Sequence, residues 1–164
     1  MKVAFLDRDG TLIYEPPDGI IRPENFRILP GVFASLKSLK EHGYKLVMIT
    51  NQDLTVNDDS EENFKQTQKI LLDELAREGI AFDEIFLCPH SEEDHCNCRK
   101  PKTGMVDAFF HEHDIDLSVS FVVGDRENAD GGFAQNIRVR YIRKGTNDAF
   151  PSFEEVRKLM NTAS

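Results

Sequence analysis

No stretch of this chain approaches the roughly 18 consecutive apolar residues needed to span a bilayer, and its first residues enter a strand pattern without the regions of a signal peptide. These absences argue against a membrane partner and lead us to expect a cytoplasmic protein. Basic charge is also scarce: 20 Lys and Arg stand against 29 Asp and Glu, a formal net charge of -9. Proteins that grip a nucleic-acid backbone do so with a basic surface that neutralises phosphates, so no nucleic-acid partner is expected. Bound metal cations would offset part of the acidic excess. Cysteine is limited to Cys88, Cys96 and Cys98, an odd number within eleven residues. That pattern suits metal binding in a reducing compartment better than a disulfide scaffold. No internal repeat, low-complexity tract or linker interrupts the 164 residues, of which 40% are hydrophobic and 30% charged, and a single domain over 1–164 is expected.

Short apolar runs recur at 3–6, 46–49, 85–87, 121–123 and 139–142, each of a length and composition that suits a strand buried on both faces. Helical spacing is seen over 31–42 (Val32, Phe33, Leu36, Leu39), 59–78 (Phe64, Ile70, Leu71, Leu75) and 103–113 (Met105, Val106, Phe109, Phe110). A last helix opens on the capping box "SFEE" at 152–155. The expected order is β-α-β-α-β-α-β-β-α, which implies an α/β, Rossmann-like three-layer sandwich with a mostly parallel sheet. Segments 14–30 and 51–59 read as long functional loops. Ligands of such sheets bind beyond the carboxyl ends of the strands.

Those strand ends carry chemistry. Asp7, Asp9, Gly10 and Thr11 follow the first strand, Thr50 and Asn51 the second, and Gly124, Asp125 and then Asp130 the fourth, with Lys100 beyond the third. One aspartate after a strand is usually a turn or cap residue, but the joint order is far less easily accidental. Carboxylates gathered this closely repel one another unless a cation joins them, and a hard, oxygen-ligated ion such as Mg²⁺ is the natural solution. A metal, a lysine and a hydroxyl together form a receptor for phosphate. Asp7 can attack phosphorus while Asp9, two residues on, handles protons.

"DRDGT" (7–11), "ITN" (49–51), "RKP" (99–101) and "GDRENAD" (124–130) resemble, in order, the four motifs of the haloacid dehalogenase-like phosphohydrolases. The resemblance implies that Asp7 is the nucleophile forming an aspartyl-phosphate and Asp9 the general acid/base. It also implies that Thr50 is a phosphate ligand, that Lys100 bridges phosphate and nucleophile, and that Asp125 joins Asp7 and the backbone carbonyl of Asp9 around Mg²⁺. Asp130 is a candidate for an indirect part in the metal site. Three local departures stand out. A glycine-containing loop would be expected where Asp53 is followed by Leu54, Thr55 and Val56. "GDRENAD" has four residues between its aspartates where close relatives have three. Ile137 and Arg138 stand where a turn glycine would be expected. A receiver-like phosphoacceptor domain is the non-enzyme alternative, but it has no use for an acid/base at Asp9.

The cysteines add a second cluster. "CPHSEEDHCNC" spells C-x-H-x5-C-x-C, so Cys88, His90, Cys96 and Cys98 could supply the four ligands of a structural Zn²⁺ in a loop at 88–98, with His95 a competing ligand. Three buried cysteines by coincidence are the plain alternative. Zn²⁺ there would clamp the segment that presents Arg99 and Lys100 to the phosphate of a small phosphorylated metabolite. A zinc loop joined to "CRKP" resembles a narrower group that includes histidinol-phosphate phosphatases and heptose bisphosphate phosphatases, which lack a large cap domain. The short zinc loop, with "DRDGTLIYEPP" and "GYKLVMITNQD", looks closer to the former, with D-glycero-D-manno-heptose 1,7-bisphosphate the alternative substrate. The resemblance also implies a fused or associated imidazole glycerol-phosphate dehydratase as a partner. Asn51, Arg99 and Glu15 are the candidate substrate-binding residues, Glu15 because a cationic leaving group needs an acidic or hydrogen-bonding group outside the phosphate pocket.

Overall fold

The computed structural model describes residues 1–55 and 58–162. Five strands, β1 (Lys2–Leu6), β2 (Tyr44–Asn51), β3 (Glu84–Cys88), β4 (Phe121–Gly124) and β5 (Arg140–Arg143), form one sheet among them in the order β3-β2-β1-β4-β5. Every neighbouring pair is parallel, so the sheet is more uniform than the mostly parallel one expected. β1 lies at its centre, and side chains alternate between faces along it. Ala4 and Leu6 join a core with helices α1 (Val32–Glu41), α2 (Asp58–Arg77) and α5 (Phe153–Asn161). Val3 and Phe5 face the other way, toward α3 (Asp107–Glu112) and α4 (Gly132–Asn136). Phe5 is fully buried against the rings of Phe109, Phe110 and Phe133, burial worth about 1.5–3 kcal/mol for a side chain of this kind.

Two elements depart from the expected order. α4 was not anticipated, and β4 and β5 were expected to follow one another directly. Parallel neighbours need a crossover, and α4 with the π-helical turn Glu127–Gly131 supplies it. The adjacent Gly131 and Gly132 conceal the helical pattern in the sequence. α3 is shorter than the 103–113 segment suggested, because Gly104 donates its N–H to the Asn97 carbonyl at 3.0 Å and ties its start to the preceding loop. The capping box forms as expected: Ser152 Oγ accepts from the Glu155 N–H at 3.2 Å, and Glu155 Oε2 accepts from the Ser152 N–H at 2.7 Å.

The 14–30 loop folds back on the segment it leaves. Ile13 and Ile28 form an antiparallel bridge, and Leu29 donates its N–H to the Leu12 carbonyl at 2.9 Å. The loop thus stays beside the end of β1. The loop reading of 51–59 and the departure at Val56 lie partly outside the described residues, and α2 begins at Asp58. No helix among the described residues is long and apolar enough to cross a membrane.

Candidate active site

Register sets the end of β1 between its neighbours: Leu6 pairs with Met48 on one side, where β2 runs on to Asn51, and with Val123 on the other. Asp7 continues β1 by one residue, donating its N–H to the Val123 carbonyl at 3.0 Å. Its Oδ1 accepts from Lys100 Nζ at 2.7 Å and its Oδ2 from Thr11 Oγ1 at 3.1 Å. Lys100 Nζ also donates to Asp130 Oδ1 at 2.6 Å and to the Ile49 carbonyl at 2.9 Å, so a buried ammonium has an acceptor for each of its three N–H bonds. Burial alone would lower the Lys100 pKa, but Asp7 and Asp130 outweigh it and hold it above its ordinary value.

Asp125 stands at the end of β4, with Oδ2 accepting from Thr146 Oγ1 at 2.5 Å. Two glycines make room for the carboxylates. Gly10 has φ +75, and a Cβ there would lie 2.6 Å from Asp125 Oδ2, while one on Gly124 would strike the Asp130 carboxylate. The additional residue in "GDRENAD" is absorbed by the π-helical turn, where both Asp130 and Gly131 donate to the Arg126 carbonyl, at 2.7 and 3.3 Å. Asp130, given an indirect part by the sequence reading, is thereby brought directly beside Asp7 and Asp125.

Oxygens of Asp7, Asp125 and Asp130 all lie within 4.8 Å of one another, and all three residues are buried. Burial raises the carboxyl pKa of Asp125 and pushes that of Asp130 up to about 6, with Asp7 adding to both. An all-oxygen donor set of this kind suits Mg²⁺. The Asp9 carboxylate stands apart from it: Oδ1 accepts from Arg8 at 2.6 Å and Oδ2 from Gln52 Nε2 at 2.7 Å. Gln52 also donates to the buried Thr50 hydroxyl at 2.9 Å.

The second cluster is local. Among Cys88, His90, Cys96 and Cys98, donor-atom separations run from 2.8 Å between Cys88 and Cys98, through 3.2 Å for His90 to Cys98, 3.4 Å for Cys96 to Cys98 and 3.5 Å for Cys88 to Cys96, to 3.6 Å for Cys88 to His90. Ligands about 2.0–2.3 Å from a tetrahedral Zn²⁺ would stand roughly 3.3–3.8 Å apart, which most of these separations approach, while the Cys88 to Cys98 contact would have to open around the ion. Burial pushes the Cys88 thiol up to about 12. Cys96 is drawn down to about 6, against burial, by the N–H groups of Arg99 and Cys98 and by the neighbouring thiols. The donors fit the metal.

Arg99 and Lys100 follow at once. Arg99 reaches back to Asp53 Oδ1 at 2.7 Å and to the His90 carbonyl at 2.9 Å. Asn51, expected to bind substrate, pairs with the backbone of Lys100: its Oδ1 accepts from the Lys100 N–H at 2.9 Å and its Nδ2 donates to the Lys100 carbonyl at 3.1 Å. A cavity of about 410 Å³ opens beside these groups, with Asp9, Glu15, Asn51, Arg99 and Arg126 in its wall. Glu15 Oε1 accepts from Arg126 at 2.5 Å, while its buried Oε2 has no hydrogen-bond partner. Burial raises the Glu15 carboxyl above its usual range, against the opposing pull of Arg126.

Several residues at the site were not picked out from the sequence. Arg8 is almost fully buried, bonds Thr67 and Gln68 of α2 at 2.8 Å each, and faces the Phe64 ring at 4.9 Å. Gln52, Lys144, Thr146 and Asn147 lie outside the four phosphatase motifs. Only Thr146 and Asn147 carried a local signal, because "GTND" has the composition of a turn.

A parallel sheet that gathers aspartates and one lysine beyond the ends of β1 and β4 has the architecture of the haloacid dehalogenase-like phosphatases. Within that class, the model of the polynucleotide kinase 3 phosphatase family matches residues 2–144, and the chain belongs to this family. It is 43% identical over 147 residues to the histidine biosynthesis bifunctional protein HisB of Campylobacter jejuni, covering 88% of this chain and 42% of that protein. The corresponding Legionella pneumophila protein is 38% identical over 143 residues, covering 86% of this chain and 40% of that protein. The chain thus spans about two fifths of these bifunctional relatives. It is 35% identical to the "Probable D-glycero-D-manno-heptose-1,7-bisphosphate 7-phosphatase" of Thermoplasma volcanium, covering 86% of this chain and 97% of that one. Among solved structures, D,D-heptose 1.7-bisphosphate phosphatase from B. bronchiseptica, complexed with magnesium and phosphate, superposes with a TM-score of 0.79 at 28% identity, covering 90% of this chain and 83% of that one.

Proposed function

We propose that this chain is a Mg²⁺-dependent phosphomonoesterase that works through an aspartyl-phosphate, and that its substrate is L-histidinol phosphate. The phosphatase reading is carried by the Asp7 to Lys100 contact at 2.7 Å within a cluster of three carboxylates. In the proposed reaction an Asp7 oxygen attacks phosphorus as the bond to the leaving alkoxide breaks, and Asp9 gives that alkoxide a proton. Asp9 then takes a proton from the water that attacks phosphorus, the bond to Asp7 breaks, and inorganic phosphate leaves. Lys100 and Thr50 are the proposed phosphate partners, while Arg8 and Gln52 orient Asp9. Asp7, Asp125 and Asp130 would hold Mg²⁺ together with the backbone carbonyl of Asp9. When bound, the ion supplies positive charge against the phosphate oxygens. Zn²⁺ at Cys88, His90, Cys96 and Cys98 would be structural, fixing the segment that leads into Arg99 and Lys100.

The choice of leaving group rests on the unpartnered, buried Oε2 of Glu15. A buried acceptor without a donor is costly, and an ammonium or imidazolium N–H is the group that would satisfy it. The guanidinium groups in the cavity wall already have carboxylate partners: Arg8 has Asp9, Arg99 has Asp53 and Arg126 has Glu15. A second phosphate would have to compete for them. The heptose bisphosphate reading has its own support in the Thermoplasma and B. bronchiseptica relatives. An imidazole glycerol-phosphate dehydratase, fused or separate, is the proposed partner.

The test is a substrate panel of L-histidinol phosphate, heptose 1,7-bisphosphate and an aryl phosphate, with and without Mg²⁺. Highest kcat/KM on the bisphosphate would overturn the substrate assignment. We expect Glu15→Gln to lower the ratio of kcat/KM for histidinol phosphate to that for the aryl phosphate by roughly 1–3 kcal/mol. Equal losses on both substrates would place Glu15 in the catalytic scaffold instead.

A further inference from the structure

The matched family residues end at 144, and the four that follow form a turn against the active site. Gly145 accepts from the Asp148 N–H at 3.0 Å, closing a four-residue turn whose third residue, Asn147, has φ +64. Asparagine is the side-chain-bearing residue that best tolerates this backbone. The turn is fixed to the β1 loop by two bonds to the Gly10 carbonyl, from the Asn147 N–H at 2.9 Å and from Lys144 Nζ at 2.8 Å. Thr146 Oγ1 meets Asp125 at 2.5 Å. The Asn147 amide is then used on both sides of one residue. Its Oδ1 accepts from the Glu15 N–H at 2.7 Å and its Nδ2 donates to the Glu15 carbonyl at 2.8 Å.

Glu15 follows Tyr14 and precedes Pro16 and Pro17, which have no backbone N–H to anchor the segment beyond it. The paired bonds from Asn147 therefore set where the Glu15 backbone sits. We propose that Asn147 is a positioning residue for leaving-group selection: through Glu15 it holds the unpartnered carboxylate oxygen at a fixed place relative to Asp125, although Asn147 itself touches neither substrate nor metal. This rests on the proposal that Glu15 meets an amine-bearing leaving group. It adds that selectivity depends on a turn some 130 residues away in sequence, beyond the family-matched region.

The test uses Asn147→Gly, which tolerates the left-handed backbone and removes the side chain with its amide, beside Glu15→Gln. Hydrogen exchange at the Glu15 N–H in the full chain reads the positioning without any substrate, and kcat and KM on L-histidinol phosphate and 4-nitrophenyl phosphate read the selectivity. We expect Asn147→Gly to lose protection at Glu15. The histidinol phosphate to aryl phosphate ratio should fall roughly tenfold, chiefly through KM. Asn147→Asp, which retains the acceptor for the Glu15 N–H, should restore most of that protection. Unchanged protection in Asn147→Gly would overturn the proposal. So would a ratio that Glu15→Gln lowers and Asn147→Gly does not. If Glu15→Gln leaves the ratio unmoved, the leaving-group reading itself fails, whatever Asn147 does to the exchange rate.

Discussion

The two clusters able to hold metals among the described residues are built in opposite ways. The sulfur and nitrogen donors come from one loop, residues 88 to 98, and assemble wherever that loop closes. The carboxylates come from residues 7, 125 and 130 and meet only because β1 and β4 are neighbours. A local cluster shapes its own segment, whereas a dispersed one inherits its geometry from the sheet. Arg99 and Lys100 join the two, since the chain leaves Cys98 and within two residues delivers an ammonium to Asp7 and Asp130.

The largest expected effect falls on the dispersed cluster. Asp7→Asn should leave the fold intact, since the amide is nearly isosteric and the sheet fixes the backbone at that point. Turnover should drop by about 10⁴-fold or more, because an amide is a poor nucleophile and a weaker metal ligand. Single-turnover assays with acid-quench trapping of the phosphoenzyme check this. Retained turnover, or a phosphoenzyme still formed by the variant, would remove Asp7 from its proposed role.

An intermediate effect is expected at the local cluster. Cys96→Ser should reduce zinc content below one per chain and loosen the segment bearing Arg99 and Lys100, with kcat/KM falling roughly 10²-fold through misplacement of the lysine. Added Mg²⁺ should not restore it. Elemental analysis and kinetics on the same preparation read both. Full activity in zinc-stripped protein supplied only with Mg²⁺ would show the two clusters to be independent.

The difference in construction also decides what could be read from sequence. Cys88, His90, Cys96 and Cys98 were legible because their spacing is itself the geometry. Asp7, Thr50, Lys100 and Asp125 were legible through strand ends, once alternating strands and helices implied a parallel sheet. Arg8, Gln52, Lys144, Thr146 and Asn147 were not, apart from the turn composition around the last two, because each meets the site through a partner from a remote segment. Arg8 reads as an ordinary charge until α2 presents Thr67 and Gln68 to it. Asp130 was half legible, since its additional residue of spacing gives no hint of the π-helical turn that absorbs it. Asn51 shows the converse: the strand-end pattern put it beside the cavity, but its amide is taken up by the backbone of Lys100.

The smallest effect lies apart from either cluster and separates stability from site geometry. The turn glycine missing after α4 is replaced by Arg138, an exposed residue with φ +61 that ends the helix in the left-handed region. Its N–H bonds the Gln135 carbonyl at 3.1 Å, and the Val139 N–H bonds the Ala134 carbonyl at 3.0 Å, the arrangement of a helix C-terminus that glycine normally closes. A side chain in this conformation costs roughly 1–2 kcal/mol, part of which glycine returns through its freer unfolded chain. Arg138→Gly should therefore stabilise the protein by about 1 kcal/mol, a rise in Tm of roughly 2–4 °C for a chain of this size. Zinc content and kcat/KM should stay as in the parent protein. A lower Tm would mean that the Arg138 side chain contributes more than its backbone strain costs. A change in activity would mean that the α4 turn, through the adjoining π-helical segment, helps set Asp130, so that the dispersed cluster draws on still more of the fold than β1 and β4.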